Sequence, residues 1–398
     1  MSQTVIVTIT GTDRPGITAG ILHLLDANGA DVLDMEQVII RDRLNLGLLV
    51  QLDEARPTLK DLLYFGWKRD LNVDFEAVGA QDEGPGERTP AAPRFAVTVI
   101  GEHLTPATLA GVADAIVAGG GNIARITRLS RYPVISFELV VVGGRMQDLR
   151  EALLLASSAH RVDIAVQPEG LARRAKRLVV IDMDSTLVRD EVIDLLADAA
   201  GVGDEVKAIT AQAMSGDIAF DDAIRKRVAL LIGLDEGRLD TVAARISLTP
   251  GARTFARTLR RLGYRTAIVS GGFDVFAEQV RRTLGMDASF ANRLEVVDGQ
   301  LTGELVGDVI DGPAKARLLV EIAAAEGIPV EQTVAIGDGS NDLEMLTLAG
   351  LGIAFNAKPI VDAVADTTVK VPYLDAILFV LGIRREDIEA ADRDSPLD

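Results

Sequence analysis

The sequence predicts an α/β protein in which two ferredoxin-like βαββαβ units precede a doubly wound parallel sheet with a helical cap. In the first half, a segment recurs at an offset of roughly ninety residues, which is typical of a duplicated small domain. In the second half, continuous apolar runs alternate with amphipathic helices, as in parallel sheets buried on both faces. A long helical stretch without a strand separates the first two runs. A chain of 398 residues is also long enough for several domains.

Both copies of the repeat begin with a β-branched strand that runs into glycine. These strands are Val7-Thr8-Ile9-Thr10-Gly11 and Val97-Thr98-Val99-Ile100-Gly101. Each copy continues with a helix, two β-rich runs, a second helix and a last strand, which is the order of a ferredoxin-like unit. We therefore expect one unit at residues 1–80 and another at residues 94–167, with a Gly- and Pro-rich linker at 81–93.

A second linker is expected at residues 168–177, where proline, glycine and a basic run separate the repeat from the rest of the chain. The run Arg173-Arg174-Ala175-Lys176-Arg177 is interpreted as solvated. The alternative functional interpretation is a nucleic-acid-binding patch, but five residues at a domain boundary of an acidic protein give it little support.

The C-terminal domain, residues 178–398, is defined by apolar runs that predict buried strands. Residues from about 191 to 247 contain no such run and are predicted to form a helical cap over the sheet. Ligands of open α/β sheets bind outside the carboxyl ends of the strands. Three runs end in segments predicted to meet there: Asp182-Met183-Asp184-Ser185-Thr186, Ser270-Gly271-Gly272 and Gly337-Asp338-Gly339-Ser340-Asn341-Asp342.

Composition and charge exclude several classes of function. The chain has no cysteine, which excludes disulfides, thiolate metal sites and cysteine nucleophiles. Its formal charge is −18, and residues 178–398 carry 37 Asp/Glu against 22 Lys/Arg, which argues against a nucleic-acid partner. All three histidines lie in the first half, so chemistry in the second half must use carboxylates, hydroxyls, Lys, Arg and metal. Without a basic leader or a long apolar stretch, we expect a cytoplasmic protein with no membrane partner.

Two carboxylates one residue apart at a strand end can converge on one ligand if the chain turns at once. Asp182 is then a candidate nucleophile toward phosphorus, and Asp184 a candidate general acid and base. Magnesium prefers oxygen ligands. A plausible shell is Asp182, the Asp184 backbone carbonyl and Asp338, with Asn341 or Asp342 in support.

Ser270 and the backbone N–H of Gly271 are candidate donors to a phosphoryl oxygen, since glycine permits close approach. Lys315, near the start of a predicted helix, would supply a cation to the phosphate and to Asp182. Each residue also has an ordinary interpretation: the paired aspartates as a helix cap, Ser270 as a turn residue and Lys315 as a solvated helix residue. Their occurrence in order, each at a strand or helix end, favours the functional interpretation.

With these motifs in place, residues 178 to about 385 resemble the haloacid dehalogenase superfamily, whose four motifs match Asp182/Asp184, Ser270, Lys315 and Asp338/Asn341/Asp342. Within it, the cap is similar to that of the phosphoserine phosphatase family. The resemblance implies a Mg²⁺-dependent hydrolase that converts phosphoserine to serine, the last step of serine biosynthesis, through an aspartyl-phosphate.

The same resemblance implies a set of substrate-facing residues. Arg227 would bind the serine carboxylate, Glu191 would lie near the ammonium, and Met214 and Phe220 would close the site against water. Bidentate carboxylate recognition also suits a guanidinium on physical grounds. By composition alone, Met214 and Phe220 are cap-core residues and Glu191 a first-turn helix acid. The implied substrate-binding set is completed by Ser270, Gly271, Gly272, Lys315 and Asn341.

The first half resembles tandem ACT domains, ferredoxin-like modules that bind amino acids at dimer interfaces. Asp13-Arg14-Pro15-Gly16 fits the ligand-loop pattern, whereas His103-Leu104-Thr105-Pro106 in the second copy departs from it. The resemblance implies L-serine as a regulatory ligand and a homodimer. Alternatively, Asp13 only caps the following helix and Pro15 starts it.

Two other functions remain open at this stage. The same catalytic core could act on another small phosphometabolite, such as phosphohomoserine. The chain could instead be an amino-acid sensor with a decayed hydrolase half, although the presence of Asp182, Asp184, Lys315 and Asp338 speaks against it.

Overall fold

The computed structural model describes residues 2–53, 56–78, 92–215 and 218–394. The chain divides into two compact units, Met1–Ala91 and Ala92–Asp398. The predicted fold class is confirmed: two βαββαβ modules are followed by an α/β domain built on a parallel sheet. Within the described residues, no helix is both long and apolar enough to cross a membrane.

The first unit is a four-stranded antiparallel sheet covered by two helices. Strand β3 alternates between buried and exposed residues, so Leu44, Leu46 and Leu48 reach the core while their neighbours face outward. The sheet order is β2-β3-β1-β4, which leaves β2 at an edge. The elements are β1 Ser2–Thr12, α1 Ile17–Ala27, β2 Asp31–Ile40, β3 Arg43–Asp53, α2 Thr58–Arg69 and β4 Leu71–Ala77.

The second module repeats this topology within the second unit, with sheet order β6-β7-β5-β8. Residues 79–91, which include most of the predicted linker, lie outside the described residues. The elements are β5 Arg94–Gly101, α3 Pro106–Ala118, β6 Gly121–Ser130, β7 Ile135–Gly143, α4 Met146–His160 and β8 Asp163–Pro168.

The second module packs directly against the α/β domain. Ile100, Leu129 and Val134 belong to the same apolar cluster as residues of that domain. The buried carboxylate of Asp163 accepts hydrogen bonds from the backbone N–H groups of Lys370 and Val371, at 2.7 and 3.1 Å. The module keeps an apolar core of its own, and the residues on this side of it join the core of the α/β domain.

The prediction that the basic run at 173–177 is solvated is wrong for two of its cations. Arg173 lies at the end of the short helix α5, Leu171–Arg174, and its side chain, 4% exposed, pairs with Glu138 and Glu169. Lys176 is also buried, and its Nζ donates to two backbone carbonyls, each at 2.6 Å. Burial is possible because carboxylates and carbonyls satisfy both charges, and sequence alone did not reveal those partners.

The α/β domain is built on a seven-stranded sheet of order β12-β11-β10-β9-β13-β14-β15. Its strands are parallel except for the antiparallel β11–β12 pair at one edge. Alternate residues of β9 enter different cores, Val179 on one side and Val180 on the other, as expected for a doubly wound sheet. The strands are β9 Leu178–Ile181, β10 Arg265–Phe273, β11 Ala288–Val297, β12 Gln300–Val306, β13 Thr333–Gly337, β14 Gly352–Phe355 and β15 Thr367–Val369.

Helices connect the strands. Four consecutive helices lie between β9 and β10 in the chain and form a separate layer over the sheet edge. A bridge between Val188 and Leu248 closes the base of this helical cap. The cap helices are α6 Val192–Ala200, α7 Gly203–Ser215, α8 Phe220–Ala229 and α9 Gly237–Ala243. The remaining helices are α10 Ala252–Arg261, α11 Asp274–Leu284, α12 Gly312–Ala325, α13 Leu343–Leu348, α14 Pro359–Asp362, α15 Ile377–Val380 and α16 Arg385–Asp394.

Candidate active site

The carboxyl ends of β9, β10 and β13 meet at one edge of the sheet. Ile181 is in register with Ile268 on one side and Ile336 on the other, so the residues that follow these strands become neighbours. The backbone N–H of Asp182 donates to the Ile336 carbonyl at 2.9 Å, which fixes Asp182 at the end of the central strand. The convergence expected from the sequence is therefore present.

A buried lysine joins two of these strand ends. Lys315 Nζ lies 2.7 Å from Asp182 Oδ1 and 2.7 Å from Asp342 Oδ1, and its side chain is fully buried. Helix α12 presents it there, and Asp311 caps that helix by accepting from the Ala314 N–H at 2.9 Å. Burial by itself would lower the pKa of Lys315, but the two carboxylates outweigh it, so the net shift is upward and the ammonium stays charged.

Three carboxylates lie together around this lysine. Oxygen atoms of Asp182, Asp338 and Asp342 are within 4.8 Å of one another. Burial raises the pKa of Asp182 well above its usual value, and repulsion from Asp342 adds to this, while Lys315 opposes it. The pKa of Asp338 is also raised, by burial and then by Asp342.

This cluster could bind a metal ion. Three carboxylates against one ammonium leave negative charge uncompensated, and a cation would relieve that repulsion. The donors are all oxygen atoms, which suit a hard divalent ion. Asp338 is further oriented by the Thr186 hydroxyl, which donates to its Oδ1 at 3.3 Å.

The chain turns sharply after Asp182, as the sequence requires if both carboxylates are to face one ligand. Ser185 adopts a positive φ of 56° within this turn, Met183–Leu187. Asp184 Oδ1 accepts from the Val192 N–H at 2.9 Å, and its Oδ2 accepts from the Ser270 hydroxyl at 3.2 Å. Burial, followed by the negative charge of Glu191, raises the pKa of Asp184 to about 7.

The glycines after Ser270 are dictated by close approach. A Cβ at Gly272 would lie 2.5 Å from Asp184 Oδ2, and one at Gly271 would lie 2.9 Å from Cζ of Phe220. The Gly272 N–H donates to Ser270 Oγ at 2.8 Å, which orients that hydroxyl toward Asp184. Both glycines allow the sheet edge to contact the carboxylates and the cap.

A cavity of about 520 Å³ lies between this sheet edge and the cap. Ser270, Lys315 and Asp342 are fully buried beside it. The side chain of Met214, in the last turn of α7, lies outside the described residues. The predicted residues that line the cavity are Asp182, Asp184, Glu191, Phe220, Arg227, Gly271, Gly272, Asp338 and Asn341.

Arg227 is the buried cation on the cap side of the cavity. It is 9% exposed, and among the described residues no carboxylate lies within ion-pair distance of its guanidinium. Burial lowers the pKa of Arg227, and the nearby charges of Glu191 and Asp194 oppose that shift. Glu191 itself accepts from the Ser185 hydroxyl at 2.9 Å. The cap thus offers one cation, Arg227, and two carboxylates, Glu191 and Asp194, opposite the sheet carboxylates.

Sequence reasoning missed several residues of the site. Thr249 donates from its hydroxyl to the Thr186 carbonyl at 2.7 Å and so supports the turn after the first carboxylate. Lys358 follows β14, a strand next to β13, and the rule that ligands bind at carboxyl strand ends could have found it. Gly339 and Ser340 also line the cavity and belong to the segment 337–342 that was predicted at this edge, although no role was assigned to them. Other cavity-lining residues that were not predicted are Ile193, Asp194, Thr210, Ala213, Ile224 and Phe273.

In the first unit, the loop Asp13-Arg14-Pro15-Gly16 connects β1 to α1. The helix begins at Ile17 with Gly16 as its N-cap, at φ 89°, a value that favours glycine. The alternative in which Pro15 starts the helix is therefore wrong. The Asp13 N–H donates to the Asp42 carbonyl at 2.7 Å, which anchors the loop.

Family models match three parts of the chain. The model for haloacid dehalogenase-like hydrolases matches residues 179–347, and two ACT-domain models match residues 3–76 and 94–167. These matches coincide with the α/β domain and the two ferredoxin-like modules.

Curated relatives match over almost the whole length. A phosphoserine phosphatase of Streptomyces coelicolor is 50% identical over 392 residues, which cover 98% of this chain and 94% of the relative. A phosphoserine phosphatase of Mycobacterium tuberculosis is 45% identical over 399 residues, which cover 98% and 95%. A solved structure described as a phospho-aspartyl intermediate analogue of phosphoserine phosphatase is 46% identical with a TM-score of 0.50, covering 52% of this chain and 98% of that one.

Proposed function

The chain belongs to the phosphoserine phosphatases, haloacid dehalogenase-like hydrolases, and from this premise we propose that it hydrolyses O-phospho-L-serine to L-serine and phosphate. It is a phosphoric monoester hydrolase with two ACT domains. The composition of the cavity carries the substrate assignment. On the sheet side lie Asp182, which Lys315 holds, and Asp184, which can carry a proton at neutral pH. On the cap side lies the buried Arg227, which has no ion pair among the described residues. Such a cavity suits a phosphate ester that also bears a carboxylate.

Asp182 is the proposed nucleophile. Its carboxylate attacks phosphorus, and the bond between phosphorus and the serine oxygen breaks, which leaves an aspartyl-phosphate. The Lys315 ammonium at 2.7 Å holds Asp182 in place and offsets negative charge as the phosphoryl group arrives. The relative solved as a phospho-aspartyl intermediate analogue supports this step.

Asp184 is the proposed proton carrier. Its raised pKa, about 7, allows it to give a proton to the departing serine oxygen at neutral pH. It then takes a proton from the water that attacks the aspartyl-phosphate, which releases inorganic phosphate and restores both carboxyl groups. The Ser270 hydroxyl and the Gly271 N–H are the proposed donors to phosphoryl oxygens.

The proposed metal is Mg²⁺, held by Asp182, the backbone carbonyl of Asp184 and Asp338, with Asp342 in support. The proximity of the three carboxylates and the raised pKa of two of them support a divalent cation there. When bound, such an ion supplies charge neutralisation for the phosphoryl group. Its selectivity over other ions is testable by restoring a chelated sample with each ion in turn.

The cap is proposed to recognise the amino-acid end of the substrate. Arg227 would bind the carboxylate and Glu191 the ammonium, with Phe220 and Met214 closing the site. The burial of Arg227 supports this assignment: its Nε donates to the Ala223 carbonyl at 3.4 Å, and among the described residues no carboxylate lies within ion-pair distance, so a substrate carboxylate could still pair with the guanidinium.

Phosphate release tests the substrate assignment. The full chain with Mg²⁺ should release phosphate from O-phospho-L-serine with a far higher kcat/KM than from phosphohomoserine or a sugar phosphate. A preference for phosphohomoserine would move the assignment to that ester. No release from any ester by folded protein would favour the sensor without catalytic activity.

The first ACT domain is proposed to bind L-serine at Asp13-Arg14-Pro15-Gly16, which would give the enzyme feedback from its product. The exposed loop residues 14–16, next to a helix that begins at Ile17, support this placement. Titration calorimetry on full-length Arg227→Ala, which weakens serine binding at the catalytic site, should still show binding. A second substitution, Asp13→Asn, should remove the heat of serine binding. The control substitution Asp26→Asn, on the same unit, should leave that heat unchanged.

A homodimer is proposed to form through β2. This edge strand is exposed along all ten residues and carries six large apolar side chains that are 40–71% exposed: Val32, Leu33, Met35, Val38, Ile39 and Ile40. An open apolar edge is a template for strand pairing. Sedimentation should find a dimer that Val38→Lys weakens and that Val117→Lys, on the second module, leaves unchanged. A monomeric parent protein would end this proposal.

A further inference from the structure

The catalytic cavity poses an electrostatic problem for its substrate. Its lining includes five carboxylates, and the whole chain carries −18. A phosphate monoester carries nearly two negative charges at neutral pH. The proposed divalent ion offsets charge on the sheet side, but Glu191 and Asp194 on the cap and the excess of Asp/Glu in residues 178–398 still repel an approaching anion. The carboxylates are Asp182, Asp184, Glu191, Asp194 and Asp338.

Two of the nearby cations are poorly placed to meet the substrate first. Lys315 is fully buried and already lies 2.7 Å from both Asp182 and Asp342. Arg227 is 9% exposed within the cap. The charge of Lys315 is offset by its two carboxylates, and Arg227 lies beneath the surface of the cap, so neither is the first cation that an approaching substrate can contact.

Lys358 has the opposite character. It is exposed and lines the cavity in the company of Asp338 and Asn341. Its N–H donates to the Asp338 carbonyl at 3.1 Å, and Pro359 follows it, so its backbone is fixed to the catalytic loop. Within the part of the chain that the structure describes, no carboxylate lies within ion-pair distance of its ammonium. A cation without an ion pair among the described residues is thus held at the cavity by its main chain, near enough to Asp338 for its charge to act on that carboxylate.

We propose that Lys358 is the entry residue of the cavity, whose exposed ammonium attracts the phosphoryl dianion past the surrounding carboxylates. This inference rests on the proposed function. The residue acts on the encounter between free enzyme and substrate, so it sets kcat/KM and leaves kcat nearly unchanged. Because its charge is exposed, its effect is weakened by salt.

The test compares Lys358→Ala, Lys358→Arg and a control, Lys207→Ala, an exposed lysine on α7 that does not line the cavity. Both alanine variants change the net charge equally. Hydrolysis of O-phospho-L-serine is measured with Mg²⁺ at low salt and at about 1 M salt, where the Debye length is roughly 3 Å. At low salt, Lys358→Ala should lose about tenfold in kcat/KM, within the range of electrostatic steering. Lys358→Arg and Lys207→Ala should stay within about twofold of the parent, and high salt should remove most of the difference.

Three outcomes would overturn the inference: equal kcat/KM for the two alanine variants, a loss that falls mainly on kcat, or a loss that salt does not reduce. Activity of the parent enzyme distinguishes a failure of the proposed function from a failure of the role of Lys358. If it fails to hydrolyse O-phospho-L-serine, the proposed function fails. If it succeeds while Lys358→Ala behaves as Lys207→Ala does, only the role of Lys358 fails.

Discussion

The roles of single residues at this site depend on how burial and neighbouring charges set their protonation states. Lys315 keeps its proton between two carboxylates, while Asp184 is held near the point of half-protonation by burial and by Glu191. Two aspartates one residue apart therefore acquire different tasks from their surroundings. The same reasoning applies on the cap side, where Arg227 is buried without a carboxylate partner among the described residues.

Arg227→Ala should separate substrate recognition from catalysis. For O-phospho-L-serine, the fall in kcat/KM should correspond to a loss of about 2–3 kcal/mol of transition-state stabilisation, because the substrate carboxylate is left unpaired in a closed cavity. A small phosphomonoester without a carboxylate should be affected far less. Arg225→Ala is the matched control, since Arg225 lies on the same helix, is exposed and pairs with Asp221. Equal losses on both substrates would mean that Arg227 supports the cap and does not recognise the substrate.

At the scale of elements, the site depends on how closely the strand ends approach one another. Ser270 and the two glycines after it lie near the end of β10 against Asp184 and the cap, where a Cβ at Gly272 or Gly271 would lie 2.5 or 2.9 Å from its nearest neighbour. A turn with positive φ at Ser185 brings Asp184 back toward Ser270. These contacts depend on the backbone of two parallel strands.

Gly272→Ala should abolish most activity while the fold is retained. The added Cβ would lie 2.5 Å from Asp184 Oδ2, so that carboxylate must move away from Ser270. Circular dichroism and phosphate release measure the two effects. Gly47→Ala is the control, because the nearest atom to its Cβ is 3.9 Å away. Normal activity in Gly272→Ala would show that the position of Asp184 is not critical.

Much of this architecture could be predicted from the sequence because the ends of buried strands are visible in its pattern. A buried parallel strand reads as a continuous apolar run, and the residues after it must lie at the ligand-binding edge. Residues that act across long sequence separations could not be found this way. Thr249 supports Thr186 through a single hydroxyl, which leaves no pattern in the sequence. The partners of Arg173 and Lys176 lie on distant elements, so the local run of basic residues suggested exposure where the structure has burial.

On the scale of the second unit, the second ACT domain is a structural part of the α/β domain. Its residues Ile100, Leu129, Val134 and Ala165 contribute to the main apolar cluster. Polar contacts reinforce this surface, including Gln167 Nε2 to the Val380 carbonyl at 2.9 Å. A fragment cut after β8 would expose this surface, which is why ligand-binding experiments need the full chain.

Asp163→Asn should make the protein more stable at neutral pH relative to the parent. Burial raises the pKa of Asp163 from its usual 3.8 to about 6. The free energy of unfolding therefore has its full value while Asp163 is protonated, below about pH 4, and falls as the pH rises through 6 and the buried carboxyl ionises. The loss is at most about 3 kcal/mol. The asparagine carbonyl can still accept from the Lys370 and Val371 N–H groups.

Urea unfolding at a series of pH values measures this effect. The difference in unfolding free energy between Asp163→Asn and parent should move in favour of the variant between pH 4 and 7. Asp114→Asn, an exposed carboxylate on α3, controls for the loss of one charge. A difference that does not change with pH would show that Asp163 is ionised throughout this range.

The central claim, that phosphate passes through Asp182, is tested most directly by rapid quenching with ³²P-labelled O-phospho-L-serine and Mg²⁺. The account predicts transient, hydroxylamine-sensitive label on the parent protein. It predicts longer-lived label on Asp184→Asn, whose turnover should fall by ~10²–10⁴-fold as general acid–base help is lost. Asp182→Asn should carry no label and show no turnover. Label on Asp182→Asn, or turnover near that of the parent, would contradict the account.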